Sequence, residues 1–263
     1  MIGRVGAIAL NTFREAIRNK VLYGIVAAVI GMNLFAVVLG AMSLAEEARI
    51  ARDVGLAGVS LFGAITAIFL GVSLLYAEIQ KRTIHVILAK PIHRHEFVLG
   101  KYAGMAVTLT LLVVAFAVAL AIMLTLSGFA FDENVVKAVT LGWLEVMLVA
   151  AIAIFFSSFS TPFLSGIFTF AIFFIGRSSK ELEYAANKAK DPVLRAIGQA
   201  ALYVVPDLHL FSVSGGEVDG KAVSVHATFV SWLYVGHAAL YALAVVAILL
   251  ILAVVVFSRR DFS

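Results

Sequence analysis

AVTLGWLEVMLVAAIAIFFSSFSTPFLSGIFTFAIFFIG, Ala138 to Gly176, carries a single charge, Glu145. A helix needs about 20 apolar residues to cross the hydrocarbon core of a bilayer, so this run is long enough for two crossings. Ser157-Ser158-Phe159-Ser160-Thr161-Pro162 supplies the turn between them, because small hydroxyl residues followed by proline end a helix. Outward from this run, Val21–Ala45, Val54–Ala77, Tyr102–Phe131 and Ala222–Ser258 also lack Asp, Glu, Lys and Arg. The first three are each one span long, and the fourth holds one span behind a polar lead-in. The reading is an all-α integral membrane protein with six transmembrane helices, at 21–45, 54–77, 102–131, 138–156, 162–176 and 229–257. A helix over 1–20 precedes them, a loop over 78–101 joins the second and third, and a segment over 177–228 separates the fifth and sixth.

Composition agrees. Of 263 residues, 62% are hydrophobic and 14% are charged, against about 25% charged in soluble domains. The net charge of +4 does not point to nucleic acid, because its distribution follows the rule that cytoplasmic loops collect Lys and Arg. With the N-terminus inside, the inner segments hold Arg4, Arg14, Arg18, Lys20, Lys81, Arg82, Lys90, Arg94, Lys101, Arg259 and Arg260. The short outer loops hold Arg49, Arg52 and Lys137. Both termini are therefore expected in the cytoplasm, with the chain in the inner (cytoplasmic) membrane. The first apolar run is about twice the length of a signal-peptide core of 7–15 residues and reads as a retained helix. The chain has no cysteine, hence no disulfide or thiolate metal site.

Residues Ile2 to Asn19 form an amphipathic pattern, with Ile2, Val5, Ala9, Phe13, Ala16 and Ile17 on one side and Arg4, Asn11, Arg14, Glu15 and Arg18 on the other. Such a helix either lies in the membrane interface or contacts a partner protein. Gly63, Ala67 and Gly71, four residues apart, make a small-residue stripe suited to close helix packing, either within the subunit or between two subunits. In the outer segment, Ser178-Ser179 caps a short helix over 180–190. Asp191-Pro192 reads as the N-cap and first residue of another over 193–205. This second helix is too short to cross and apolar enough to dip into the outer leaflet. A small hairpin is expected around Asp219-Gly220.

The chemistry-bearing motifs are few. Gly215 to Lys221 follows a phosphate-cradling loop up to its last position, where Ala222 replaces the hydroxyl that would hold magnesium. It also falls on the outer side, so no nucleotide site is read. His93, His95 and Glu96 do not make a metal site, because two histidines at i and i+2 on a helix diverge by about 200°. No nucleophile–base pair is spaced for catalysis. Glu145 is the one carboxylate inside a span. It sits about 10 Å below the outer boundary when counted from Ala138. Three roles are open to it: hydrogen bonding to a neighbouring helix, a translocation pathway, or proton coupling.

Between the second and third spans runs KRTIHVILAKPIHRHEFVLGK, Lys81 to Lys101, the most basic part of the chain. Ile84-His85-Val86-Ile87-Leu88 is a short apolar piece flanked by Lys81-Arg82 and Lys90-Pro91, and Pro91 disfavours helix at Lys90. A short helix of this kind either rests on lipid headgroups or docks in a groove of a soluble partner.

Glu78, Thr83, Leu88, Pro91, Arg94, Gly100 and Lys101 resemble the corresponding loop of type 2 ABC-transporter permeases, although Arg82 stands where many members have glycine. Asn11 to Gly24 resembles that family's N-terminal elbow, and Val255 to Phe262 its tail after the sixth helix. Val205-Pro206-Asp207-Leu208 with Phe211 is similar to the branch of the nitrous-oxide-reductase maturation permease. The resemblance implies a membrane subunit that pairs with a second permease subunit, identical or homologous, and with two cytoplasmic ATPases that bind the ATP and magnesium. Glu78, Thr83, Ile84, Ile87, Leu88, Pro91 and Arg94 would dock the ATPase, and Phe13, Arg14 and Arg18 would form the interfacial elbow. Export is the implied activity; Glu145, from its place inside a span, and the outer residues 177–205 are the candidate lining of the exit. Force transmission or assembly without small-molecule transport is the alternative, and a secondary transporter a more distant one.

Overall fold

The computed structural model describes residues 2–41, 47–80, 93–189, 191–212, 214–218, 221–224 and 230–259. Its elements are α1 (Ile2–Ile17), α2 (Lys20–Ala41), α3 (Glu47–Gln80), α4 (Arg94–Leu126), α5 (Glu133–Ser157), α6 (Pro162–Arg177), α7 (Ser179–Lys188), α8 (Pro192–Val204), a 3₁₀ turn at His209–Phe211, a hairpin of β1 (Ser214–Val218) and β2 (Lys221–Ser224), and α9 (Trp232–Ser258). Apart from that antiparallel hairpin, the described chain is helical. Five helices are long and apolar enough to cross a membrane. They become six when α6 and α7, bent 71° at their junction, count as one broken span. Lipid takes the place of water around them: Leu34, Phe35, Leu240, Leu243 and Ile251 are each more than half exposed.

Helix ends follow local chemistry. Asp132 caps α5 by accepting from the Val135 N–H at 3.2 Å, and Ser231 caps α9 by accepting from Tyr234. Asp191 caps α8 with Pro192 in its first turn, as the sequence indicates. The third span departs from its expected limits at both ends. It starts at Arg94, inside the segment read as loop, because Glu96 accepts from the His93 N–H at 3.1 Å and secures the first turn. It stops at Leu126 rather than 131. Gly128, at φ 79°, takes the left-handed conformation that ends helices. Gly128 and Phe129 return N–H bonds to Thr125 and Leu124. An uncharged run therefore overstated the helix, since hydropathy does not register a cap. The second span likewise begins earlier than 54, as α3 takes in Arg52 and Asp53.

The core is the contact of α3 with α5, flanked by α2, α4 and α9. A Cβ placed on Gly63 would sit 2.6 Å from Val146 Cγ2, and one on Gly71 would sit 2.5 Å from the Ala153 Cβ. The Gly63-Ala67-Gly71 stripe thus packs inside the subunit, against α5, where missing side chains let two helices approach. The same device seats α1. Cβ atoms on Gly100 and Gly104 would meet Ile8 Cβ at 2.7 Å and the Ala9 carbonyl oxygen at 2.4 Å. The face of α1 that meets α4 includes Thr12 and Ala16, both fully buried, so this helix is docked on the bundle as well as amphipathic.

Candidate functional site

The charged residue of the opening stretch is completely buried. Glu145 stands at the midpoint of α5, because Asp132 caps that helix six residues before Ala138. It is roughly 18 Å from either end at 1.5 Å per residue, deeper than the sequence count from Ala138. A carboxylate at such depth is expensive unless paired. Its partner is the last residue of α6. Arg177 Nη1 donates to Glu145 Oε1 at 2.7 Å and to Ser60 Oγ at 2.7 Å, while Ser60 donates its hydroxyl to Glu145 Oε2. A three-residue ring of charge-assisted bonds thereby ties α3, α5 and α6 together.

Chain geometry brings Arg177 there. With 16 residues, α6 is roughly 24 Å long, less than the hydrocarbon thickness. Measured from the turn it shares with α5, Arg177 stands roughly 22 Å along and Glu145 roughly 18 Å. The chain then turns into α7 and returns, so that Leu208 N–H donates to the Gly176 carbonyl at 3.1 Å. That return stretch is held on both sides. Asp207 accepts from Ser179 at 2.6 Å and from the His209 N–H at 3.0 Å. Its own N–H donates to Tyr241 on α9 at 2.9 Å. Leu208 and Phe211 are buried against the bundle, which gives the 205–211 stretch noted in the sequence a structural role as the floor of the segment that follows α6.

Beyond it, α7 and α8 pack on each other, with Ala186 against Gly198. Val193, Leu194, Ile197 and Tyr203 of α8 are all more than 60% exposed.

At the other end of the bundle a second cluster gathers the start of α4, the end of α9 and the elbow helix. Arg94 Nη1 donates to the carbonyls of Phe257 at 3.0 Å and Ser258 at 2.8 Å, satisfying free acceptors at the negative end of α9. Phe97 stacks on Phe257 with centroids 5.7 Å apart. Glu96, 3% exposed, faces Arg4 at 3.8 Å. Lys101, equally buried, faces Glu15 at 3.7 Å. Of the residues singled out as docking positions, Arg94 is therefore a bridge to the last helix. Glu78 lies in α3, with its side chain outside the described residues, and Thr83, Ile84, Ile87, Leu88 and Pro91 lie outside them altogether. Of the elbow residues, Phe13 is half-buried while Arg14 and Arg18 are exposed.

His93 and His95 do not diverge as the helical count requires. His93 is the extended N-cap of α4, and the two rings stack 5.3 Å apart.

Residues 6–262 match the family model described as ABC-2 family transporter protein. The chain belongs to that family. A search of curated proteins found none that matches it. Membership makes this ABC-2 chain the membrane subunit of an ABC transporter, a multi-pass permease of a family that generally works with separate ATPase subunits.

Sequence reasoning singled out Glu145 but missed Ser60 and Arg177. Because Arg177 ends the uncharged run, hydropathy assigns it to the 177–228 segment. The available signal was that the fifth span is too short to carry its terminal arginine clear of the membrane.

Proposed function

We propose that this permease is driven by a separate cytoplasmic ATPase that docks on Glu78, Thr83, Ile84, Ile87, Leu88, Pro91 and Arg94 and binds the ATP and magnesium, and that it exports its substrate. It works as a dimer, with an identical or homologous subunit, in the inner membrane with both termini cytoplasmic. The branch that its 205–211 stretch resembles is that of the nitrous-oxide-reductase maturation permease. The observation that carries the reading is the knot of α1, α4 and α9 at the end flanking the basic segment 81–92. Arg94, Glu96 and Lys101 bind these helices to one another, so a push on that segment would be delivered to several spans at once. Replacing Ile84, Ile87 and Leu88 together by Asp should abolish co-purification of the ATPase while the protein stays folded; retained binding refutes the docking role.

Glu145 and Arg177 stand on the pathway in this reading, with Glu145→Gln expected to impair transport in proteoliposomes. A second reading, force transmission to an extracytoplasmic protein, is favoured by the α7–α8 hairpin. It is rooted on α6 through the Leu208 N–H bond to the Gly176 carbonyl and on α9 through Asp207, yet presents an exposed face on α8. Purified complex that hydrolyses ATP only with an outer partner, and moves no small substrate, would select it.

A further inference from the structure

Arg177, the last residue of α6, is a partly exposed cation. Its side chain is 27% exposed, at a depth where lipid tails would otherwise surround it. Ionisable side chains at membrane depth face a bundle interior or a water-filled cavity rather than hydrocarbon. The guanidinium is also only partly used. Nη1 serves both Glu145 and Ser60, while Nε and Nη2 make no hydrogen bond among the described residues. Those two N–H groups form the edge that meets a carboxylate or phosphate with two parallel bonds. The bonds to Glu145 and Ser60 hold that edge fixed, which lowers the ordering cost of binding.

The surroundings suit an apolar tail. Phe163, Ile167, Phe170, Phe174 and Arg177 recur at intervals of four and three along α6 and so share one face. The four apolar members are exposed by 76%, 46%, 51% and 63%. Arg177 thus ends an open apolar stripe with a fixed cationic edge.

We propose that Arg177 recognises an anionic amphiphile, a molecule with one carboxylate, sulfate or phosphate head and an apolar tail lying along Phe174 and Phe170. The head takes the Nε–Nη2 edge, and Glu145 keeps the guanidinium oriented while opposing the second negative charge. Calling the ligand cargo rests on the transporter reading above; its binding to Arg177 does not.

The test measures 11-(dansylamino)undecanoic acid against its methyl ester, by dansyl fluorescence, on the full chain in phosphatidylcholine nanodiscs with empty discs subtracted. Wild type should prefer the acid by about tenfold, the size of one good charge-assisted contact. Arg177→Gln should bind acid and ester equally. Arg177→Lys, which keeps the charge but loses the two-pronged edge, should retain about a threefold preference. Glu145→Gln should bind the acid several-fold more tightly, because the competing negative charge is gone; a merely structural Glu145–Arg177 pair predicts a loss instead. Equal binding of acid and ester by wild type, or an undiminished preference in Arg177→Gln, overturns the proposal. If Arg177→Gln does not fold, the Arg177→Lys and Glu145→Gln pair decides in opposite directions.

Displacement of the probe when phosphatidylglycerol replaces phosphatidylcholine assigns a lipid source, displacement by soluble laurate alone assigns a free amphiphile, and displacement by neither overturns the assignment. Retained ATPase co-purification by the Ile84, Ile87 and Leu88→Asp variant would remove the docking role and leave this binding result standing.

Discussion

The ring joining α3, α5 and α6 makes a quantitative claim about what holds the bundle together. Removing one partner of a buried ion pair costs about 3–5 kcal/mol, because the other charge is left uncompensated. Glu145 is fully buried, but Arg177 keeps 27% of its side chain exposed, which places the cost near the lower limit. Arg177→Gln should therefore destabilise by about 3 kcal/mol, roughly a 150-fold change in the folding equilibrium. Ser60 is itself neutral, so Ser60→Ala strands no charge of its own; losing its charge-assisted bonds should cost about 1.5–3 kcal/mol, no more than Arg177→Gln. The informative quantity is the coupling in a double-mutant cycle of Glu145→Gln, Arg177→Gln and the double variant, by reversible denaturation in mixed micelles. Because the double variant leaves no stranded charge, it should be less damaging than the sum of the singles, with coupling of about 2 kcal/mol or more. Coupling at or below about 0.5 kcal/mol would mean that water reaches the pair freely, and the argument from low dielectric would fail.

Other expectations follow from the packing. Gly71→Val places side-chain atoms where the Ala153 Cβ already sits; overpacking of this kind costs about 1–3 kcal/mol and should appear as a lower melting temperature in detergent. Gly104→Val meets the Ala9 carbonyl oxygen instead, so it should free α1 from α4, read as rapid hydrogen exchange over residues 5–16 while exchange in α5 stays slow. Arg94→Ala removes two bonds to the end of α9, and faster exchange over the last turn of that helix should follow at a cost of about 1–3 kcal/mol. Gly128→Ala forces a side chain into the left-handed region and should cost about 1–2 kcal/mol, measured in the same micelle denaturation.

Much of the architecture was legible because a bilayer imposes few solutions. Charge-free runs must become helices when no water is present to satisfy the backbone, and Ser157–Pro162 announced the turn between two of them. Asp191-Pro192 read correctly as a cap for the same local reason. Local chemistry also accounts for the misplaced ends of the third span, since Glu96 and Gly128 act through single hydrogen bonds and one φ angle that hydropathy averages away. The Gly63-Ala67-Gly71 stripe was recognised as a packing surface, but its partner could not be named from spacing alone.

The amino-acid order by itself determined that this chain lives in a membrane as a bundle of helices, and its motifs placed it among ABC-2 permeases. Hydrophobic length and charge distribution are additive, one-dimensional properties, so a linear reading captures them. Only the tertiary structure decided which polar groups meet. Ser60, Glu145 and Arg177 lie on three helices and are separated by 85 and 32 positions. They come together because α6 is short, α3 and α5 pack through glycine, and a buried carboxylate must find a cation at whatever depth the fold leaves one.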